Sequence, residues 1–119
     1  MKICITATGR DLDDGVDQVF GRARYFLLVD SGTRAVEAVE NAPGAHGAGV
    51  QAAQLLSEKG VDVLITGNVG PNAVQGLQAA GVRIYTGASG TARDALGSYE
   101  SGSLPETNRP TRAGHGGRR

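Results

Sequence analysis

Short apolar runs rich in β-branched residues recur between residues 2 and 86 and predict five β-strands. The first two runs read KICITAT and YFLLVD. The third run, RAVEAVE, alternates apolar and polar residues, which indicates a strand with one exposed face. The predicted strands are 2–8, 25–30, 34–40, 61–66 and 82–86.

Apolar residues at helical spacing predict three helices, at 50–59, 72–80 and 91–99. Gly60 and Gly81 directly follow the first two of these segments and predict helix C-caps. Residues 9–24 show no clear period, and they are predicted to form a long loop.

The connections predict an α/β fold with a mixed sheet. Residues 31–33 (SGT) predict a hairpin, so strands two and three should be antiparallel. Right-handed crossovers then make strands one, three, four and five parallel, with strand two reversed and helices flanking the sheet. The loops 9–24, 41–49, 67–71 and 87–90 should therefore meet at the carboxyl edge, where open α/β sheets bind ligands.

Composition narrows the class of protein. The chain has 119 residues, of which 39% are hydrophobic, and its formal net charge is +0, which argues against a dedicated nucleic-acid or membrane-surface binder. Its apolar runs are too short for a signal peptide or a membrane span, which predicts a cytoplasmic protein. Cys4 is the only cysteine, so an intramolecular disulfide and a cysteine-ligated metal cluster within one chain are excluded.

Charge is divided unevenly along the chain. Residues 1–100 carry eight bases and eleven acids, whereas residues 101–119 carry four arginines and one glutamate. The latter segment contains one large apolar residue, Leu104, and is rich in Gly, Ser, Pro and Thr. We therefore expect a domain over 1–100 and a disordered basic tail over 101–119.

Two glycine-rich segments open predicted helices at the carboxyl edge. The first segment is GAHGAG at 44–49 and the second is GNVGPN at 67–72. In the second segment, Gly67 and Gly70 permit close backbone approach and Pro71 suits the first helical turn. The free N–H groups that follow it could bind an anion, together with nearby arginines. These groups belong to Asn72, Ala73 and Val74, and the arginines are Arg10, Arg22 and Arg24. The alternative is that these glycines are ordinary turn residues of the loops and bind no ligand. Neither segment contains a nucleotide-binding fingerprint, which disfavours a dinucleotide or NTP site.

Few residues of this chain are candidates for binding a metal ion or for catalysis. His46 lies in the segment GAHGAG and is either a ligand or an exposed loop histidine. Cys4 lies between Ile3 and Ile5 in the first predicted strand, and it is predicted to be a buried, inert thiol. The aspartates of residues 11–14 are expected to lie in a solvated loop.

Three motifs resemble the dinitrogenase iron–molybdenum cofactor biosynthesis family. They are FGRARYF at 20–26, NAP through HGAG at 41–49, and ITGNVGPNA at 65–73, in the family's order and spacing. The resemblance implies a ribonuclease H-like fold and the binding of metal–sulfur clusters or their precursors. It further implies that a small stand-alone member can hold a molybdenum–copper sulfide cluster without covalent attachment.

Resemblance and residue chemistry together define a predicted site. A thiometalate cluster brings its own sulfides and negative charge, so N–H groups, arginine and apolar contact could hold it. His46 is the position that corresponds to the family's loop histidine, and it is the predicted metal ligand. The predicted cofactor-binding residues are Arg10, Phe20, Gly21, Arg22, Asn41, His46, Gly47, Gly67, Asn68 and Gly70.

The leading hypothesis is a non-enzymatic carrier of a molybdenum-containing metal–sulfide cluster, of Mo–Cu or Fe–Mo type, with a recipient apo-protein as partner. A ribonuclease H-like nuclease or phosphoryl-transfer enzyme is the alternative, but it needs carboxylates on the central strands. The first predicted strand has none, and the fourth has only Asp62. A third hypothesis is a protein–protein adaptor whose cleft binds no ligand.

Overall fold

The computed structural model describes residues 1–41 and 48–111, and within them it contains every predicted strand and helix. Each end lies within two residues of its predicted position. The predicted loop 9–24 also contains a short 3₁₀ turn, Phe20–Arg22. The strands are β1 (Lys2–Ala7), β2 (Tyr25–Asp30), β3 (Val36–Glu40), β4 (Val63–Ile65) and β5 (Arg83–Tyr85), and the α-helices are α1 (Ala48–Glu58), α2 (Pro71–Ala79) and α3 (Ala92–Glu100).

The five strands form one mixed sheet in the order β3-β2-β1-β4-β5. Strand β2 is antiparallel to both β1 and β3, whereas β1 pairs with β4, and β4 with β5, in parallel. The predicted α/β class and the predicted strand directions are therefore confirmed. In register, Tyr25 lies between Ala7 of β1 and Glu40 of β3, so these positions mark the carboxyl edge.

The sheet is buried on both faces, which explains its nearly continuous apolar strands. Helices α1 and α2 cover one face, where Cys4, Phe26 and Leu64 contribute to the core. Helix α3 covers the other face, over Ile5 and Ile65. The edge strand β3 is more exposed than its alternating sequence predicts, since only Val39 of its five residues is partly buried.

The helix ends follow from local sequence. Gly60 and Gly81 have φ of 72° and 78°, the left-handed conformation expected at a helix C-cap. Pro71 begins α2, where its missing N–H costs nothing. Thr91 and Asp94 form a reciprocal capping box at the start of α3. Gly60 and Gly81 therefore lie at the amino edge, before β4 and β5, whereas Pro71 and Thr91 begin their helices directly after the loops of the carboxyl edge.

The predicted disordered tail differs from the structure over residues 101–111. Glu106 forms an isolated bridge with Tyr85, and the Thr107 N–H donates to the Ile84 carbonyl at 2.7 Å. Leu104 packs against the core beneath α3. Composition did not indicate this because the segment orders by satisfying backbone groups on the free edge of β5. Residues 112–119 lie outside the described residues.

In the described part of the chain, no helix has the length and apolar character that a membrane crossing requires.

Candidate functional site

The loops that follow the parallel strands meet at one edge of the sheet, as the topology predicts. Beside the end of β4, the N–H groups of Gly87 and Ala88 donate to the carbonyls of Gly67 and Thr66, at 3.0 and 3.2 Å. These bonds join the loops after β4 and β5 to each other. Only Asn41 of the loop after β3 is described, because residues 42–47 lie outside the described range.

A short segment before β2 connects the two halves of this edge. The Asn68 N–H donates to the Gln18 carbonyl at 2.7 Å, and the Phe20 N–H donates to the Asn68 carbonyl at 3.1 Å. A Cβ at Gly67 would lie 2.7 Å from the Gln18 carbonyl oxygen, so only glycine permits this approach. Gly67 and Asn68 therefore position the segment that leads into the Phe20–Arg22 turn.

An open cavity of about 290 Å³ lies at the carboxyl edge, beside the first residue of β2. The Arg24 main chain is held in place, since its N–H donates to the Asp17 carboxylate at 3.0 Å and its carbonyl accepts from the Asn41 N–H at 2.9 Å. Its side chain is exposed to solvent. The cavity is lined by Thr8, Arg24, Tyr25, Glu40 and Asn41.

Arg10 lies against the same tyrosine. Its guanidinium carbon is 5.4 Å from the centroid of the Tyr25 ring, and its Nε lies 3.5 Å from the Tyr25 hydroxyl. A hydrogen bond to the Tyr25 hydroxyl, and to a lesser extent the negative charge of Glu40, raise the pKa of Arg10. Arg10 therefore stays positively charged beside the cavity, while Glu40 offsets part of that charge.

Asn41 supports the main chain around the site. Its Nδ2 donates to the Ala23 carbonyl at 2.8 Å and lies 3.4 Å from the Gly21 carbonyl oxygen. The predicted residues Asn41 and Gly21 are thus brought together, but the Asn41 amide group is used to hold the turn. Arg22 lies on the same turn and is exposed.

Phe20 does not face the cavity, contrary to its prediction as a cofactor-binding residue. Its side chain is fully buried in the core, with its ring centroid 5.7 Å from that of Phe26. The 3₁₀ turn directs the aromatic ring inward and leaves Gly21 and Arg22 more exposed. A motif in a sequence does not indicate which of its side chains face the core, and burial of an aromatic ring is strongly favoured.

The loop before α2 offers fewer free amides than predicted. The Val74 N–H donates to the Gly70 carbonyl at 3.1 Å, because Gly70 is the N-cap and Val74 completes the first turn. The Val69 N–H donates to Oγ1 of Thr111 at 2.8 Å. Within the described part of α2, the N–H groups of Asn72 and Ala73 precede the first intrahelical bond and face outward from the helix end.

No group of three or more His, Cys, Asp or Glu side chains is placed to hold a metal ion among residues 1–41 and 48–111. Burial raises the pKa of the Cys4 thiol, so it remains protonated in the core. Met1 lies at the opposite edge, where its carbonyl accepts from the Ser31 N–H. His46, the predicted metal ligand, and Gly47 lie outside the described residues.

Sequence reasoning missed four features of this edge: the Tyr25 side of the cavity, Thr8, Glu40 and the supporting hydroxyls. Thr8 and Glu40 could have been found from their positions at the ends of strands one and three. The Thr6 hydroxyl is buried, lies 2.8 Å from that of Thr66 and donates to the Asp17 carbonyl at 2.7 Å. This contact fastens the long loop to the sheet.

The chain matches one family model and several proteins of known structure. The family model described as "Dinitrogenase iron-molybdenum cofactor" matches residues 1–102. The apo form of the orange protein from Desulfovibrio gigas is 43% identical, with 93% of this chain and 96% of that chain covered and a TM-score of 0.90. A candidate NifB protein from Thermotoga, solved by NMR, is 41% identical, with 93% and 97% covered and a TM-score of 0.84.

An uncharacterized protein of Methanocaldococcus jannaschii is 32% identical over 71 residues. That match spans 56% of this chain and 60% of the relative's length.

Proposed function

Because the chain belongs to the dinitrogenase iron-molybdenum cofactor family, we propose that it binds and carries a molybdenum-containing metal–sulfide cluster without covalent attachment. The cluster would lie at the carboxyl edge of the sheet. The observation that carries this proposal is the cavity beside Tyr25, where Arg24 lines the wall and Arg10 lies against the tyrosine. Its volume of about 290 Å³ lies at the small end of the range of about 300–1,000 Å³ that small-molecule sites occupy, which suits a compact anion.

The side-chain chemistry supports binding from outside the cluster. Guanidinium and amide N–H groups can donate to cluster sulfides, and charge-assisted hydrogen bonds contribute about 1.5–3 kcal/mol each. Three or four such bonds approach the roughly 8 kcal/mol of micromolar affinity. Arg10, Arg22, Arg24 and the first amides of α2 are the groups available among the described residues, and Glu40 opposes them.

Sulfur ligation by the protein is disfavoured. Copper(I) prefers thiolate or thioether ligands, and this chain has one cysteine and one methionine. Cys4 is protonated in the core and Met1 lies at the other edge. A Mo–Cu cluster would therefore keep its copper on its own bridging sulfides, with His46 as the predicted ligand in the segment that is not described.

A nuclease has little support in the described residues. Strand β1 carries no carboxylate, and the Asp62 carboxylate accepts from the Lys2 N–H at 2.8 Å, at the edge opposite the cavity. The proposed role is therefore non-enzymatic, with a recipient apo-protein as the acceptor of the cluster.

The test is anaerobic reconstitution of the full chain with tetrathiomolybdate, with and without copper(I), followed by gel filtration and elemental analysis. We expect molybdenum and charge-transfer absorption to elute with the protein, and the retained amount to fall as salt increases, because exposed arginines are screened. Colourless protein that holds neither metal would contradict the proposal. Retention of molybdenum only when copper is present would identify the Mo–Cu type.

A further inference from the structure

The C-terminal strap, residues 103–111, runs from the end of α3 along β5 to the loop before α2. It is anchored at its start by the Ser103 N–H, which donates to the Ser98 carbonyl at 2.8 Å. Beside β5, the Thr107 hydroxyl lies 2.6 Å from that of Thr86, in addition to its main-chain bond to Ile84. The strap therefore acts as a short extra strand on the edge of the sheet.

An ion pair fixes the middle of the strap. Both carboxylate oxygens of Glu106 face the Arg83 side chain, with the closest N–O distance 2.9 Å. Two residues later, the Asn108 carbonyl accepts from the Gln78 side chain of α2 at 3.2 Å. These contacts limit the freedom of the strap, so the residue at its end reaches its partner with little further loss of entropy.

That end residue is Thr111, and its partner is Val69. The Val69 N–H donates to the Thr111 hydroxyl at 2.8 Å, and the Thr111 N–H donates to the Val69 carbonyl at 2.9 Å. Val69 is fully buried, so its main-chain groups need these partners. Its neighbour Asn68 bonds to the segment before β2, and its other neighbour, Gly70, is the N-cap of α2.

We propose that Thr111 is a positioning residue that holds the glycine loop 67–70 in its ligand-binding conformation. This inference rests on the proposed function, which places a cluster at this edge. A loop with two glycines has many accessible conformations, and a ligand's apparent affinity falls with the fraction of the protein that is binding-competent. The strap lies beyond residue 102, where the match to the family model ends, so this chain supports the loop with a segment that the family model does not cover.

The test compares Thr111→Val, which removes the hydroxyl acceptor at nearly constant volume, with Thr111→Ser, which keeps it. Thr33→Val, in the exposed turn between β2 and β3, is the matched control. Amide hydrogen exchange at Val69 is followed by NMR in the full chain without any ligand. We expect exchange about fivefold faster in Thr111→Val, the effect of one ordinary hydrogen bond, and wild-type exchange in the other two variants.

The dissociation constant for tetrathiomolybdate is then measured for the same proteins. We expect it to rise about fivefold in Thr111→Val and to return to the wild-type value in Thr111→Ser. Unchanged Val69 exchange in Thr111→Val, or faster exchange with unchanged affinity, would overturn the positioning role while the proposed function stands. A wild-type protein that binds tetrathiomolybdate neither alone nor together with copper(I) refutes the proposed function instead, and the positioning role of Thr111 that rests on it falls as well.

Discussion

The guanidinium carbon of Arg10 lies 5.4 Å from the centroid of the Tyr25 ring, so the long loop after β1 is held against the first residue of β2. Such a cation–π contact contributes about 0.5–1 kcal/mol at an exposed position. Its larger consequence is geometric, because it restrains a flexible cation beside the cavity that Tyr25 lines. The pair therefore links loop structure to the proposed binding of an anion.

Replacing Arg10 should weaken binding more than it weakens the fold. We expect Arg10→Ala to raise the tetrathiomolybdate dissociation constant about tenfold and to reduce its salt dependence, since one charge-assisted bond is lost. Tyr25→Phe, which keeps the ring and removes the hydroxyl, should have a smaller effect. Lys59→Ala removes an equal charge at the opposite edge and serves as the control. Equal losses in Arg10→Ala and Lys59→Ala, measured by equilibrium dialysis, would show that only net charge matters.

Two glycines of the same loop should respond differently to alanine. A Cβ at Gly67 would lie 2.7 Å from the Gln18 carbonyl oxygen, whereas a Cβ at Gly70 would have no heavy atom within 4 Å. We expect Gly67→Ala to lower the free energy of unfolding by about 1–3 kcal/mol, the usual cost of overpacking. Gly70→Ala should cost less, and denaturant unfolding measures both. A Gly67→Ala protein as stable as wild type would mean that residues 18–20 do not pack against this loop.

Much of the fold could be predicted because its signals are local. The run YFLLVD bounds β2 at the residues observed, and Gly60 and Gly81 mark helix ends through a conformation that glycine adopts easily. The strand directions followed from the hairpin and the handedness of the crossovers. Each of these inferences needs only neighbouring residues or a general rule of chain topology.

The site was predicted less well because its contacts are non-local. Phe20 stands in a recognisable motif, but only packing against Phe26 shows that its ring faces the core. Thr111 and Val69 are joined by hydrogen bonds across 42 residues, and nothing in the composition of the C-terminal segment indicates that contact. The ion pair between Glu106 and Arg83 likewise joins residues 23 positions apart.

The ion pair of the strap should be visible in an acid titration. Hydrogen bonding to Arg83 lowers the pKa of Glu106, so the pair stabilises the fold above the unfolded-state pKa and is lost as pH falls through the lower, folded-state pKa. NMR should find the Glu106 carboxyl titrating below its ordinary value, and Arg83→Gln should return it towards that value. Glu100, whose pKa Arg34 lowers, is the internal control and should not move in Arg83→Gln. A Glu106 titration that the variant leaves unchanged would contradict the pairing.

Two substitutions at Asn41 can separate its structural role in holding the turn from the effect of charge on anion binding. Its Nδ2 group donates to the Ala23 carbonyl at 2.8 Å, and Asn41 is also one of the residues that line the cavity. Both Asn41→Ala and Asn41→Asp remove the donor and should lower the free energy of unfolding by about 1–3 kcal/mol. Asn41→Asp also adds a carboxylate next to Glu40, and it should therefore bind tetrathiomolybdate more weakly than Asn41→Ala, with the difference largest at low salt. Affinities are compared at a temperature where unfolding curves show both variants fully folded. If the two variants bind equally well at low salt, the anion does not occupy this cavity, because a new negative charge on its wall must repel an anion held within it.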